Sequence, residues 1–210
     1  DALLGRATVA LRRNRHVEAE RLLRDVLGRQ PDSVEAQAAL GIVLQRTNRL
    51  DEAETFLRRA IAQKPDHAAA FSALLFLLDH KPGISAAELR DEHARWGREV
   101  AGRFIPSRPV FANAPDPERV LRIGYVSADF RYHAVSFFLE PLLANHDRAA
   151  VEVHCYYNDW PEDEVTARLR GHVAGFTRIA GLSDDRAAEL IRRDGIDVLI
   201  DLSGHTRGNR

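Results

Sequence analysis

Val120-Leu121-Arg122-Ile123-Gly124-Tyr125-Val126 is a short run rich in apolar, strand-favouring residues, and its reading decides the fold of everything after it. A run this short fills a strand buried in a sheet, whereas a helix would need a longer periodic stretch. Ser136 to Leu143 follows with amphipathic helical spacing, and Val151-Glu152-Val153-His154-Cys155-Tyr156-Tyr157 alternates like a second strand. Glu164 to Val173 reads as a helix, Phe176 to Ile179 as a short strand, Asp184 to Arg193 as a helix and Ile196 to Leu202 as a last strand. Strands alternating with short helices predict a parallel, doubly wound sheet, left incomplete with four strands over residues 119–210.

Upstream, residues 106–117 hold Pro106, Pro109, Pro115 and Pro117 and read as an extended connector. Before it, Lys81-Pro82-Gly83 makes a break, and Ser85 stands three residues ahead of Glu88 with capping-box spacing. The helix this opens carries Leu89, His93, Trp96 and Val100 on one face, so residues 81–118 form a bridging segment. Residues 1–80 repeat at an offset of 34: Asn14-Arg15 falls on Asn48-Arg49, Glu18-Ala19-Glu20 on Glu52-Ala53-Glu54, Leu23-Arg24 on Leu57-Arg58, and Pro31-Asp32 on Pro65-Asp66. That is the period of the tetratricopeptide repeat, a pair of helices crossing at small residues, here Ala19 and Ala53. A third first-helix follows Pro65-Asp66 with Leu74, Leu75 and Leu78 in register, and no matching second helix is expected after it.

Composition narrows the partners. Thirty Lys and Arg balance 31 Asp and Glu for a net charge of -1, so the chain lacks the basic excess of an electrostatic nucleic-acid binder. The longest apolar stretch, Ala68 to Leu78, is too short to span a bilayer. A single cysteine, Cys155, rules out an internal disulfide and fits a reducing compartment, so a cytoplasmic location is expected. The absence of Met and the loop-like last residues suggest a piece of a longer protein.

Ligands of open parallel sheets bind beyond the carboxyl ends of the strands. Two loops there are rich in chemistry: Ser127 to Ser136 after the first strand, and Asp201 to Arg210 after the last. Each offers one histidine, His133 and His205, whose ordinary titration range suits proton transfer at neutral pH. For His133, helix capping and catalysis are equally open; Asp129 near it is a partner or a plain loop ion pair, and Asp201 caps its strand end. The glycines of the second loop let backbone approach a ligand. No HExxH, paired Cys, P-loop, GxGxxG or Gly-x-Ser-x-Gly occurs, which argues against zinc enzymes, kinases, dehydrogenases and serine hydrolases.

Arg122-Ile123-Gly124-Tyr125-Val126-Ser127-Ala128-Asp129-Phe130, followed by His133, resembles the opening of the catalytic region of protein O-GlcNAc transferases. Phe138-Leu139-Glu140-Pro141, Glu152-Val153-His154-Cys155-Tyr156, Asp194-Gly195-Ile196-Asp197 and Asp201-Leu202-Ser203-Gly204-His205-Thr206 are similar too, and Glu92-His93-Ala94-Arg95-Trp96-Gly97 resembles the bridging helices of bacterial-type members. The resemblance implies tetratricopeptide helices followed by the N-terminal lobe of a GT-B glycosyltransferase, moving N-acetylglucosamine from UDP-N-acetylglucosamine to protein Ser or Thr with inversion. It also implies no metal or other cofactor, a C-terminal lobe that binds UDP and is missing from this chain, and a fragment that is inactive alone. The family's loop histidine falls on His133 and its partner on Asp129, while Ala134 and Val135 replace the Pro-Thr that often follows. His205 and Thr206 fall at a substrate-binding loop, and Leu74 and Leu75 where the last repeat lines the acceptor side. A protein-binding helical arm with a non-catalytic lobe, or transfer from another nucleotide sugar, are the alternatives.

Overall fold

The computed structural model describes residues 2–104, 111–206, 208 and 209; Pro106, Pro109, Arg207 and Arg210 of the sequence reading lie outside them. The chain divides into two compact units, Asp1–Pro109 and Val110–Arg210.

The first unit is helical: α1 Ala2–Arg12, α2 His16–Arg29, α3 Val34–Arg46, α4 Leu50–Gln63, α5 Ala68–His80 and α6 Ala86–Glu99, then a 3-10 turn at Ala101–Phe104. The period recurs as backbone. Asn14 and Asn48 both turn the chain at positive φ, 57° and 60°, a conformation asparagine tolerates better than most residues. Ala19 and Ala53 are fully buried where paired helices cross. The crossing of α3 and α4 is so close that a Cβ at Gly41 would sit 2.6 Å from Leu57 Cγ. Gly41→Ala is therefore expected to lose on the order of 1–2 kcal/mol, the overpacking outweighing the roughly 1 kcal/mol helix preference of alanine. Gly28→Ala, with nothing within 4 Å of its added carbon, should instead gain about 0.5 kcal/mol. Thermal melts of the two variants check the pair, and equal shifts would refute the argument.

Ion pairs repeat with the helices. Arg24 joins Glu20 of its own helix to Glu52 of the next hairpin, 2.8 and 2.5 Å away, and Arg49 reaches back to Glu20 at 2.7 Å. One period later Arg58 joins Glu54 to Glu92 on α6, at 2.7 and 2.5 Å, and Lys81 reaches back to Glu54 at 2.6 Å. So α6 is the second helix of a third hairpin, which the sequence reading had not paired with α5. The reason is spacing: Ala86 follows Leu50 by 36 residues, two more than the period, because the Lys81–Ser85 turn is longer. Ser85 and Glu88 form the expected capping box, and Leu89 and Trp96 pack against the helical core.

The second unit is a sheet of β1 Leu121–Ser127, β2 Val151–Tyr157, β3 Gly175–Arg178 and β4 Val198–Asp201, in the order β3-β2-β1-β4 with every pairing parallel. Its helices are α7 Ala134–Ala144, α8 Glu164–Gly171 and α9 Asp184–Arg193. Neighbouring residues of a strand face opposite sides. Tyr125, Cys155 and Tyr157 meet Leu139, Leu143, Val165 and Leu169 of α7 and α8 on one face, while Val126 and Tyr156 meet Ala187 of α9 on the other. This is the doubly wound arrangement expected from the alternation of strands and helices. Burial pushes the Cys155 thiol up to about 12, so it is packing material and no nucleophile. Among the described residues, no helix is long and apolar enough to cross a membrane.

Candidate active site

Strand order reverses beside β1. The chain leaves β1 toward β2 and β3 through α7 and α8, then returns through α9 on the opposite face to place β4 on β1's other side. Such a reversal opens a crevice at the carboxyl ends of the two strands. Asp129 and His133 leave β1 there, and His205 and Thr206 leave β4.

The rim is built by hydrogen bonds between loops. The Ala128 N–H donates to Ser203 Oγ at 3.4 Å, and Asn158 after β2 donates to the Gly208 carbonyl at 3.0 Å. Gly208 has φ +83°, and a Cβ on it would lie 2.7 Å from that of Ala128. This glycine thus serves loop-on-loop contact, where the sequence reading had assigned it to a ligand. Asp201 accepts from the Ser203 and Gly204 N–H groups at 2.8 and 2.9 Å, capping the strand end as expected. The β1 loop is held from below: Thr166 Oγ1 donates to the Phe130 carbonyl at 2.6 Å and the Tyr132 N–H to Asp163 at 2.7 Å. That amide, with the Thr166 and Val165 N–H groups of the helix start, keeps the Asp163 carboxyl below the usual carboxylate range against its partial burial.

His133 is the N-cap of α7, which begins two residues before the expected Ser136. Its Nδ1 accepts the Val135 N–H at 3.3 Å and lies 3.9 Å from Asp129 Oδ2. Accepting from an amide requires a lone pair at Nδ1, so the neutral ring carries its proton on Nε2. The Asp129 side chain is one-tenth exposed and receives Arg131 Nη2 at 3.2 Å, with a second carboxylate, Asp159, 3.8 Å from the same nitrogen. Asp129 and His133 are brought together; Ala134 and Val135 contribute the first turn of α7, Ala134 exposed and Val135 turned toward the core. His205 is half-buried, and Thr206 is exposed with its hydroxyl donating to the Ser203 carbonyl at 2.6 Å. Leu74 and Leu75 are fully buried in the core of the helical unit. Core burial leaves them no surface for an acceptor, contrary to the lining role the resemblance implied. Among the described residues, no three His, Cys, Asp or Glu side chains converge as metal ligands.

A sequence model described as glycosyl transferase family 41 matches residues 105–210, half of the chain, and includes the whole of this rim. The chain belongs to glycosyl transferase family 41. A tetratricopeptide repeat model matches residues 10–75. A probable UDP-N-acetylglucosamine--peptide N-acetylglucosaminyltransferase SPINDLY from Solanum lycopersicum is 36% identical over 127 residues, covering 59% of this chain and 14% of that protein. The UDP-N-acetylglucosamine--peptide N-acetylglucosaminyltransferase of Caenorhabditis elegans is 38% identical over 94 residues, 43% of this chain and 8% of that one. A solved O-GlcNAc transferase mutant of Thermobaculum terrenum matches with a TM-score of 0.59 at 34% identity, over 97% of this chain and 46% of that one. The chain thus spans a small part of its curated relatives and about half of the solved one.

For a family 41 chain, sequence reasoning missed the residues that hold the rim rather than those that populate it. Asn158, Asp163 and Ser203 bond to segments far apart in sequence, and Arg131 reaches Asp159 across such a gap, a relation no local motif carries.

Proposed function

We propose that this chain is the helical arm and the opening of the first catalytic lobe of a metal-independent, inverting glycosyltransferase of the cytoplasm. It moves N-acetylglucosamine from UDP-N-acetylglucosamine to Ser or Thr of proteins held by the helical repeats, with the UDP pocket in a C-terminal lobe. One observation carries the reading: Asp129 and His133 lie within 3.9 Å on the loop that begins α7, at the strand-order reversal.

In the reaction the acceptor oxygen bonds to the anomeric carbon, the bond from that carbon to the diphosphate breaks, and UDP leaves with the electron pair. The hydroxyl proton needs a base. A small rotation of His133 from Val135 toward Asp129, with the ring proton given up to water from Nε2 and another taken from water at Nδ1, leaves the Nδ1 proton held by the carboxylate and frees the Nε2 lone pair to take the hydroxyl proton. The same rotation uncaps the Val135 N–H, whose helix-end position favours an anion such as the departing diphosphate. His205 and Thr206 contribute substrate contacts from the β4 side of the rim.

The test is transfer by the full-length protein from UDP-N-acetylglucosamine to a Ser peptide, read as the mass gain of one N-acetylhexosamine, beside calorimetric titration of UDP. UDP binding with transfer from a different nucleotide sugar would change the donor and leave the class. Failure to bind UDP would favour a protein-binding arm with a non-catalytic lobe, a reading supported by His133 already serving as a helix cap.

A further inference from the structure

The loop between β2 and α8 carries Trp160, which is 59% exposed. One face of its indole is covered: the guanidinium of Arg178, the last residue of β3, lies 3.7 Å from the ring centroid. Arg178 is held there by Glu162, which also accepts Arg170 at 2.9 Å. From within the unit, the buried Tyr157 hydroxyl donates to the Pro161 carbonyl at 2.8 Å and fixes the loop. The exposure of Trp160 therefore belongs to the opposite face, a flat apolar platform preorganised from behind.

Charge and size select an occupant. The cation that an indole face attracts is already supplied by Arg178, so a second cation gains little. Asp159, Glu162 and Asp163 flank the ring in the chain and repel a phosphate, which disfavours a nucleotide. One indole face falls far short of the roughly 800 Å² that each partner of a stable protein complex buries, but it matches a single sugar ring. In a gluco-configured pyranose the axial C–H groups line two flat faces and the equatorial hydroxyls point outward as donors. An ionised carboxylate only accepts, and Asp159, with a side chain 41% exposed, meets Arg131 no closer than 3.8 Å, which leaves acceptor oxygens for such hydroxyls. That pair also joins the loop to the one after β1, so the platform adjoins the rim. We propose that Trp160, with Asp159 beside it, is a stacking subsite for a neutral gluco-configured pyranose such as N-acetylglucosamine, free or already carried by a polypeptide. The inference goes beyond the transfer reading, since the platform holds a sugar without making or breaking a bond.

The probes are two fluorescein-labelled peptides, identical except that a Ser of one carries β-linked N-acetylglucosamine, titrated into the full-length protein without donor. The glycopeptide is expected to bind about fivefold more tightly, the effect of taking one pyranose face out of water. Trp160→Ala, and Trp160→Leu with its bulk but no flat face, should bring the ratio of the two dissociation constants to about one. Trp160→Phe, which keeps a smaller flat face, should retain part of the preference. The side chain is exposed, so each variant should melt close to the parent. Methyl β-N-acetylglucosaminide as competitor separates the two sources: erasing the preference shows that a free pyranose suffices, and leaving it shows that the sugar is read on a polypeptide. No preference in the parent overturns the subsite. So does a preference that survives in both Trp160→Ala and Trp160→Leu, which would assign the sugar to the rim at His133. Loss of the preference in those variants of a protein that transfers no sugar would retain the subsite and reject the proposed activity.

Discussion

His133→Asn in the full-length protein is expected to cut sugar transfer by about tenfold to a hundredfold while leaving the melting temperature nearly unchanged. The residue holds two positions at once, cap of α7 and neighbour of Asp129. Alanine removes both functions, so a loss of activity in His133→Ala alone would be ambiguous. Loss of an N-cap costs about 1 kcal/mol, and a unit of this size would melt roughly 4–8 °C lower. Asparagine is among the best N-caps and can accept the Val135 N–H, but it cannot take up the acceptor proton. The two variants therefore separate the roles: both should lose turnover, and only alanine should lose stability. Full turnover in His133→Asn would reduce His133 to a cap and favour the non-catalytic reading.

The double role also explains what the sequence could and could not disclose. Period-two and period-3.6 patterns are local, and they located β2 at Val151–Tyr157 and α9 at Asp184–Arg193 to the residue. Where an end depends on a side chain turning back on the backbone, the pattern fails: α7 begins at Ala134 because His133 caps it, a role that histidine's chemistry permits but does not advertise. Burial is the second blind spot. Leu74 and Leu75 lie on a helix apolar nearly all round, so periodicity could not tell a lining face from a core face, and packing put both inside. The β1 and β4 loops were legible as a candidate site from their residue types and from the rule about strand ends. That Ser203 and Gly208 join them was not, since these contacts follow from strand order, and strand order is a property of the whole sheet.

Asp197→Ala is expected to destabilise the second unit by about 1–2 kcal/mol, the scale of removing the shared acceptor of several charge-assisted hydrogen bonds at a half-buried residue. The Asp197 side chain itself is only 7% exposed. It accepts a two-pronged pair of bonds from Arg119, the Arg122 N–H at 2.9 Å and the Asn113 side chain, joining the segment before β1 to the segment before β4. Removal leaves the Arg119 guanidinium and the Arg122 amide without this acceptor. Trp160 lies in this unit and Trp96 in the helical one, so fluorescence melts with Trp96 replaced by Phe would assign the loss. The Arg119 guanidinium, with the Arg122 and Asn113 donors, holds the Asp197 carboxyl well below the usual carboxylate range despite burial. A carboxyl whose folded-state value is depressed stabilises fully above its unfolded value, near 4, and loses that contribution as pH falls toward the folded value. The gap in stability between parent and Asp197→Ala should therefore be widest above about pH 5 and narrow steadily on acidification toward pH 3. Asp197→Asn, which keeps the shape and an acceptor oxygen but loses the charge, should fall between them. A gap that stays constant across that range would mean that Asp197 acts through packing, and that its charge contributes nothing to joining the two segments.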